Sequence, residues 1–195
     1  MIRKKSMPPK FKFTHDQILN AALNLIRESG WPALSTRSLA SALGTSAKPI
    51  YSFFQSMDDL EEALVMETLN LMYSRMTQRI TGDPWIDHGI GYVMFAHSES
   101  HLFRGSNNEK NIHHFKHYGE AIWKKCTDSL SGYPGFVGLT DDEIYQIQLT
   151  RWLLCHGLAF QLSNPPPETW DDETIIKVIK DGSLAILKGL KGQRA

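Results

Sequence analysis

Leu34-Ser35-Thr36-Arg37-Ser38-Leu39-Ala40-Ser41-Ala42-Leu43-Gly44-Thr45-Ser46-Ala47-Lys48-Pro49-Ile50-Tyr51-Ser52-Phe53-Phe54 is the segment from which the architecture of this chain can be worked out. It reads as two short helices joined by a tight turn. Ser35 is placed to cap the first helix by accepting from an orphan backbone N–H. Gly44 follows Leu43, where a helix end often requires a left-handed residue. Ser46 offers a second cap, and Ile50 with Phe54 at i, i+4 gives the second helix an inward face. Helices this short do not stand alone in water, so the pair must pack on something else. A short helix, a glycine-containing turn and a second short helix form the arrangement that sets a recognition helix into a DNA major groove.

Working outward, Thr14-His15-Asp16-Gln17 matches a capping box, and apolar residues at 18, 19, 22, 23, 25 and 26 make a helical stripe that Gly30 ends. Ser56-Met57-Asp58-Asp59 opens a fourth helix, predicted to run to about Ile80, with Leu60, Leu64 and Leu71 on one edge and Val65, Leu69, Met72 and Met76 on another. Helical patterns alone follow: Trp85 to Ser100, a short piece at 101–104, about 110–130, a helix opened by the capping box Thr140-Asp141-Asp142-Glu143 and running to about Ser163, and about 171–190. Ser131 to Leu139 is expected to be a loop, and Asn164-Pro165-Pro166-Pro167 a stiff connector. The predicted fold class is all-α: a three-helix head over 14–56 preceded by a basic arm at 1–13, and a helical body over 57–195.

The chain has 195 residues, 42% hydrophobic and 22% charged, which is ordinary for a globular protein. Its zero net charge hides an asymmetry. Up to Ser56, eight Lys/Arg face two acids, a net of +6, and the remainder carries −6. A basic first third on an acidic remainder suits a polyanion-binding head on a body with another task. Cys126 and Cys155 lie in apolar surroundings and read as buried thiols rather than a disulfide framework. The basic start leads into Pro8-Pro9 rather than an apolar run, so no signal peptide is expected. No stretch reads as a membrane span. There is no phosphate loop, nucleophile elbow or zinc-protease spacing, so no catalytic residue, metal or cofactor is expected.

Residues 14 to about 64 resemble the DNA-binding domain of the TetR (tetracycline-repressor) family. The resemblance rests on Ile18 to Gly30, on Ser35-Thr36-Arg37-Ser38-Leu39-Ala40, on Gly44-Thr45-Ser46, on Ile50-Tyr51 with Phe54, and on Ser56 with Leu60. In the body, Phe95-Ala96, Leu102-Phe103 and His156-Gly157-Leu158-Ala159 resemble patterns common there. The resemblance implies a homodimeric regulator in the bacterial cytoplasm, usually a repressor. It would be released from a palindromic double-stranded operator by a small-molecule effector in the body, with no membrane partner. The competing reading is a helical small-molecule or metal-binding protein whose head has lost DNA binding.

The residues expected at the DNA are Thr36, Arg37, Ser46, Ala47, Lys48, Pro49, Tyr51, Ser52 and Gln55. By the resemblance, Thr36 and Arg37 touch the DNA backbone and nearby bases, and the Tyr51 hydroxyl meets a phosphate. Pro49 is placed at the third helical position, where its missing N–H costs nothing. The family usually carries Lys or Arg where this chain has Met57, so that phosphate contact would fall to backbone N–H groups at the helix N-terminus. The effector pocket is expected from Trp85, Tyr92, Phe95, Phe103, His117, Trp123, Trp152 and His156. Dimerisation is expected from Leu154, Leu158, Leu162, Ile175, Ile179 and Gly182 on the last two helices. His113, His117 and Glu120, at i, i+4, i+7, leave a metal site open as a question.

Overall fold

The computed structural model describes residues 13–164 and 170–192. Most of the basic arm and the proline connector Pro165-Pro166-Pro167 lie outside these. Among the described residues the regular structure is helical: α1 (His15–Ser29), α2 (Thr36–Ala42), α3 (Lys48–Tyr51), α4 (Met57–Met76), α5 (Pro84–Ser98), α6 (Ser100–Ser106), α7 (Ile112–Ser129), α8 (Asp141–Ser163) and α9 (Asp172–Gly192). The chain divides into two compact units, up to Leu64 and from Val65 on. The division falls inside α4 rather than at its start, because Leu60 and Leu64 are buried with the first core.

In the first unit, α1 begins as its capping box dictates, with the Thr14 hydroxyl accepting from the Gln17 N–H and the Gln17 carboxamide oxygen accepting from the Thr14 N–H. Its buried face is Ile18, Leu19, Ala22, Leu23 and Ile26. A 3-10 turn at Trp31–Ala33 buries Trp31. Ser35 and Ser38 form a second reciprocal cap at the start of α2. Gly44, at φ +61°, closes α2: its N–H donates to Ser41 O and the Thr45 N–H to Ala40 O. This pair of hydrogen bonds across a left-handed residue is the Schellman ending, and it aims α3 across α2.

Three expectations about α3 and α4 are corrected. Ala47, not Ser46, is the N-cap of α3, no side chain caps it, and Pro49 is the second helical residue. Regular α-helix ends at Tyr51, although the Phe54 N–H still reaches Ile50 O and both side chains are buried. Finally, α4 stops at Met76 rather than near Ile80. The Asp87 carboxylate, one turn into α5, accepts from the backbone N–H groups of Ile80, Thr81 and Gly82 and from the Thr81 hydroxyl. Those amides are thereby turned away from a continuing helix.

Burial alone would raise the Asp87 pKa, but these four bonds outweigh it and hold the carboxyl below its ordinary 3.8. The stability it contributes is present above the unfolded value and lost as pH falls through the lower folded one. Asp87→Asn should therefore cost about 2 kcal/mol at pH 7 and flatten the acid limb of a denaturation profile.

In the second unit α5 is central, packing on α8, α9 and α6, while α6 also meets α7 and α8. Trp85 is fully buried. Its ring meets Phe136 edge-on at 5.4 Å and stacks on Tyr133 at 6.3 Å, and its Nε1–H donates to Ser183 O. The glycine-rich loop after α7 is therefore ordered, with a 3-10 turn at Pro134–Phe136 lying on Trp85. The Thr140 and Glu143 capping box opens α8.

Candidate functional site

On the first unit, α2 and α3 present Arg37, Ser46, Lys48, Tyr51, Ser52 and Gln55 as exposed, with Thr36, Ala47 and Pro49 half-buried between them. The local turns bring these residues onto one surface. The hydroxyls of Thr36 and Tyr51 are 2.9 Å apart and share one hydrogen bond, so one of the two O–H groups is left to donate outward. The Ser52 hydroxyl donates to Lys48 O, which commits its proton inside the helix end. At the start of α4, Ser56 accepts from the Asp59 N–H and the Asp59 carboxylate accepts from the Gln55 N–H. Two backbone donors near Met57, the N–H groups of Gln55 and Asp59, are thus taken by side chains.

On the second unit, a cavity of about 530 Å³ lies among α4, α5, α7 and α8. Its wall is mostly apolar, including Leu69, Met72 and Met76 from α4, Tyr92 from α5, Phe115 and Trp123 from α7, and Trp152 from α8. This is the size and character of a small-molecule site. Of the residues expected at a pocket, the structure brings Tyr92, Trp123 and Trp152 to this wall. His156 stands behind them: its ring stacks on Trp152 at 4.9 Å, and its Nδ1 is 2.8 Å from the Tyr92 hydroxyl. Burial pushes the Tyr92 phenol well above its usual value and His156 below its own. The Tyr92 hydroxyl and the His156 Nδ1 thus share a hydrogen bond between two neutral groups.

Trp85, Phe95 and Phe103 are buried and do not line the cavity, and His117 is exposed on α7. The wall instead includes residues that sequence reasoning missed, above all Arg151, His88, Cys126 and Cys155. An arginine inside the apolar run of α8 was the available signal. Arg151 is 7% exposed; its guanidinium lies 3.7 Å over the Trp85 ring and donates from Nη1 to Trp85 O. Burial raises Cys126 to about 11 and also raises Cys155, so both thiols are neutral.

His88 is lowered to about 4, first by burial and then by the Arg151 charge, with Asp87 acting weakly against both. Its folded pKa lies below the ordinary 6.5, so the associated stability is complete above 6.5 and is lost as pH falls toward 4. Urea denaturation across that window should show a loss of about 3 kcal/mol from this group. His88→Gln should remove that loss.

The expected dimer residues divide. Ile175, Ile179 and Leu162 are buried within the same protomer; a Cβ on Gly89 of α5 would come within 2.9 Å of Ile179 Cγ2. Gly182 likewise serves the close approach of α9 to Leu154 in the same chain, where a Cβ would meet Leu154 Cδ2 at 2.6 Å. Leu154 and Leu158 are half-buried, and Leu153, Phe160 and Val178 are among the apolar residues exposed on these helices. Among the described residues no three His, Cys, Asp or Glu groups converge on a metal position; the His113 ring lies on His114 at 3.7 Å and His117 on Tyr118. No described helix is long and apolar enough to cross a membrane.

Residues 18–64 match the sequence profile of bacterial regulatory proteins, tetR family. An uncharacterized HTH-type transcriptional regulator of Mycobacterium tuberculosis is 28% identical over 97 residues, a match spanning 48% of this chain and 44% of that relative. Two solved structures share the fold. A protein of unknown function from a Rhodococcus species superposes with a TM-score of 0.67 at 16% identity, covering 93% of this chain and 98% of that one. The TetR family transcriptional regulator PfmR from Thermus thermophilus superposes with a TM-score of 0.56 at 15% identity, covering 89% and 98%. The matched residues include the buried faces of α1, α2 and α3, the Gly44 turn and the start of α4, and with them the N-terminal domain of this chain belongs to the tetR family of bacterial regulatory proteins.

Proposed function

We propose that the chain is a transcriptional repressor of the bacterial cytoplasm that binds a palindromic operator as a homodimer and leaves it when a small-molecule effector fills the cavity. The observation that carries the reading is the surface formed by α2, the Gly44 turn and α3. It exposes Arg37, Lys48 and Tyr51 within a domain that matches the family profile. Thr36, Arg37 and the Thr36–Tyr51 hydroxyl pair would hold phosphates, and Lys48 with Pro49 would lie toward base edges. The cavity supports the effector, its binding residues being Tyr92, Trp123 and Trp152 with His156 behind them.

Helix α4 supports the coupling, because Asp59 at its start holds the Gln55 N–H while Leu69, Met72 and Met76 further along line the cavity. An effector that binds the DNA-free form more tightly lowers operator affinity by the same factor that DNA lowers effector affinity. The exposed Leu153, Phe160 and Val178, flanked by Leu154 and Leu158, support a twofold interface through α8 and α9.

The test is a gel shift with sheared genomic fragments, followed by footprinting of any fragment retained. A protected palindrome, with protein of dimer mass in solution, is the expected result. Failure to retain any fragment over bulk DNA at low salt would sink the reading.

A further inference from the structure

We infer that the cavity of the second unit takes an organic carboxylate with an apolar body, its carboxylate held by Arg151. The inference rests on reading that cavity as a ligand site. Arg151 brings a buried charge to a mostly apolar wall, and among the described residues no carboxylate lies within ion-pairing distance of it. An unpaired buried charge is costly, and buried charges are as a rule paired.

The neighbours do not complete it. Cys126 and Cys155 are neutral thiols, and His88 is a neutral imidazole. Asp83 acts on Arg151 only at longer range and already accepts from the Tyr133 hydroxyl and the Trp85 N–H. The guanidinium spends one Nη1–H on Trp85 O, Arg151 lines the cavity, and none of its nitrogens is sealed away without a partner, as donors that a ligand in the cavity could reach require. A planar fork of N–H donors matches the two oxygens of a carboxylate. Lys116 and Glu120, also on the wall, are of opposite charge and offset each other, which leaves Arg151 to set the sign of the site. Trp123 and Trp152 with the α4 methionines then accept the apolar body.

The experiment is titration of the full chain with two matched pairs, 1-naphthoate against 1-naphthamide and decanoate against decanamide, read by calorimetry and by tryptophan quenching. In at least one pair the acid should bind about tenfold to a hundredfold tighter than its amide, the worth of a charge-assisted pair. Arg151→Met should remove that preference while the amide still binds. Arg151→Lys, which keeps the charge if the methionine variant fails to fold, should retain part of the preference, and the double change Lys116→Ala with Glu120→Gln, which removes both other wall charges together, should retain all of it. Equal binding of acid and amide overturns the carboxylate assignment and leaves the cavity a ligand site. Loss of the preference in that double variant overturns the role of Arg151. No binding by any of the four compounds overturns the cavity reading together with the inference.

Discussion

Gly91→Val should cost the fold about 3 kcal/mol or more and lower the melting temperature by about 10 °C. Gly91 lies where α5 crosses the end of α4. A Cβ placed there would come within 2.4 Å of both Arg75 O and Met76 Cα. Those are backbone atoms, which cannot rotate aside as a flexible side chain can, so the two helices must separate. Separation would open the core around Leu69, Met72, Ile90 and Val93, all nearly inaccessible to solvent. It would also disturb the α4 wall of the cavity, so ligand affinity should fall with stability. Thermal denaturation by circular dichroism checks this, with Gly119→Ala as control. At Gly119 the nearest atom to an added Cβ is Phe115 Cε1 at 4.0 Å, and alanine in mid-helix should be neutral to slightly stabilising. A Gly91→Val protein that melts with the wild type would refute the crossing.

The second large effect concerns the proposed operator complex. Arg37→Ala and Lys48→Ala should each weaken specific binding by about tenfold to a hundredfold, because each change is made twice in a dimer and a lost contact is worth about 1 kcal/mol or more per head. Arg27, Arg37 and Lys48 are the described cations of the first 56 residues, and Arg27 already donates to Asn24 on α1. Loss of either Arg37 or Lys48 should therefore also reduce the steepness with which binding falls as salt is raised. Ser52→Ala should do little, since the Ser52 proton is committed to Lys48 O. Fluorescence anisotropy on a footprinted fragment at several salt concentrations separates these outcomes. Wild-type affinity and salt slope in both charge variants would move the DNA surface elsewhere.

Features that are settled between near neighbours along the backbone were legible in the chain alone. The caps at Thr14, Ser35 and Thr140, the left-handed Gly44 and the inward pair Ile50 and Phe54 all act between residues at most five apart, so the head and the all-α character could be read directly. The end of α4 could not, because Asp87 and Gly91 on the next helix decide it. Nor could the cavity. Trp85, Trp123 and Trp152 are the same residue type on similar helices, yet Trp85 is core under Arg151 while the other two line the cavity. Ile175 and Ile179 have the pattern of an unpartnered face until α5 is packed against them. Periodicity reports that a face will be buried, not what buries it. Only the packing of α5 on α8 and α9 made that choice, and with it placed an unpaired arginine on the wall of the cavity.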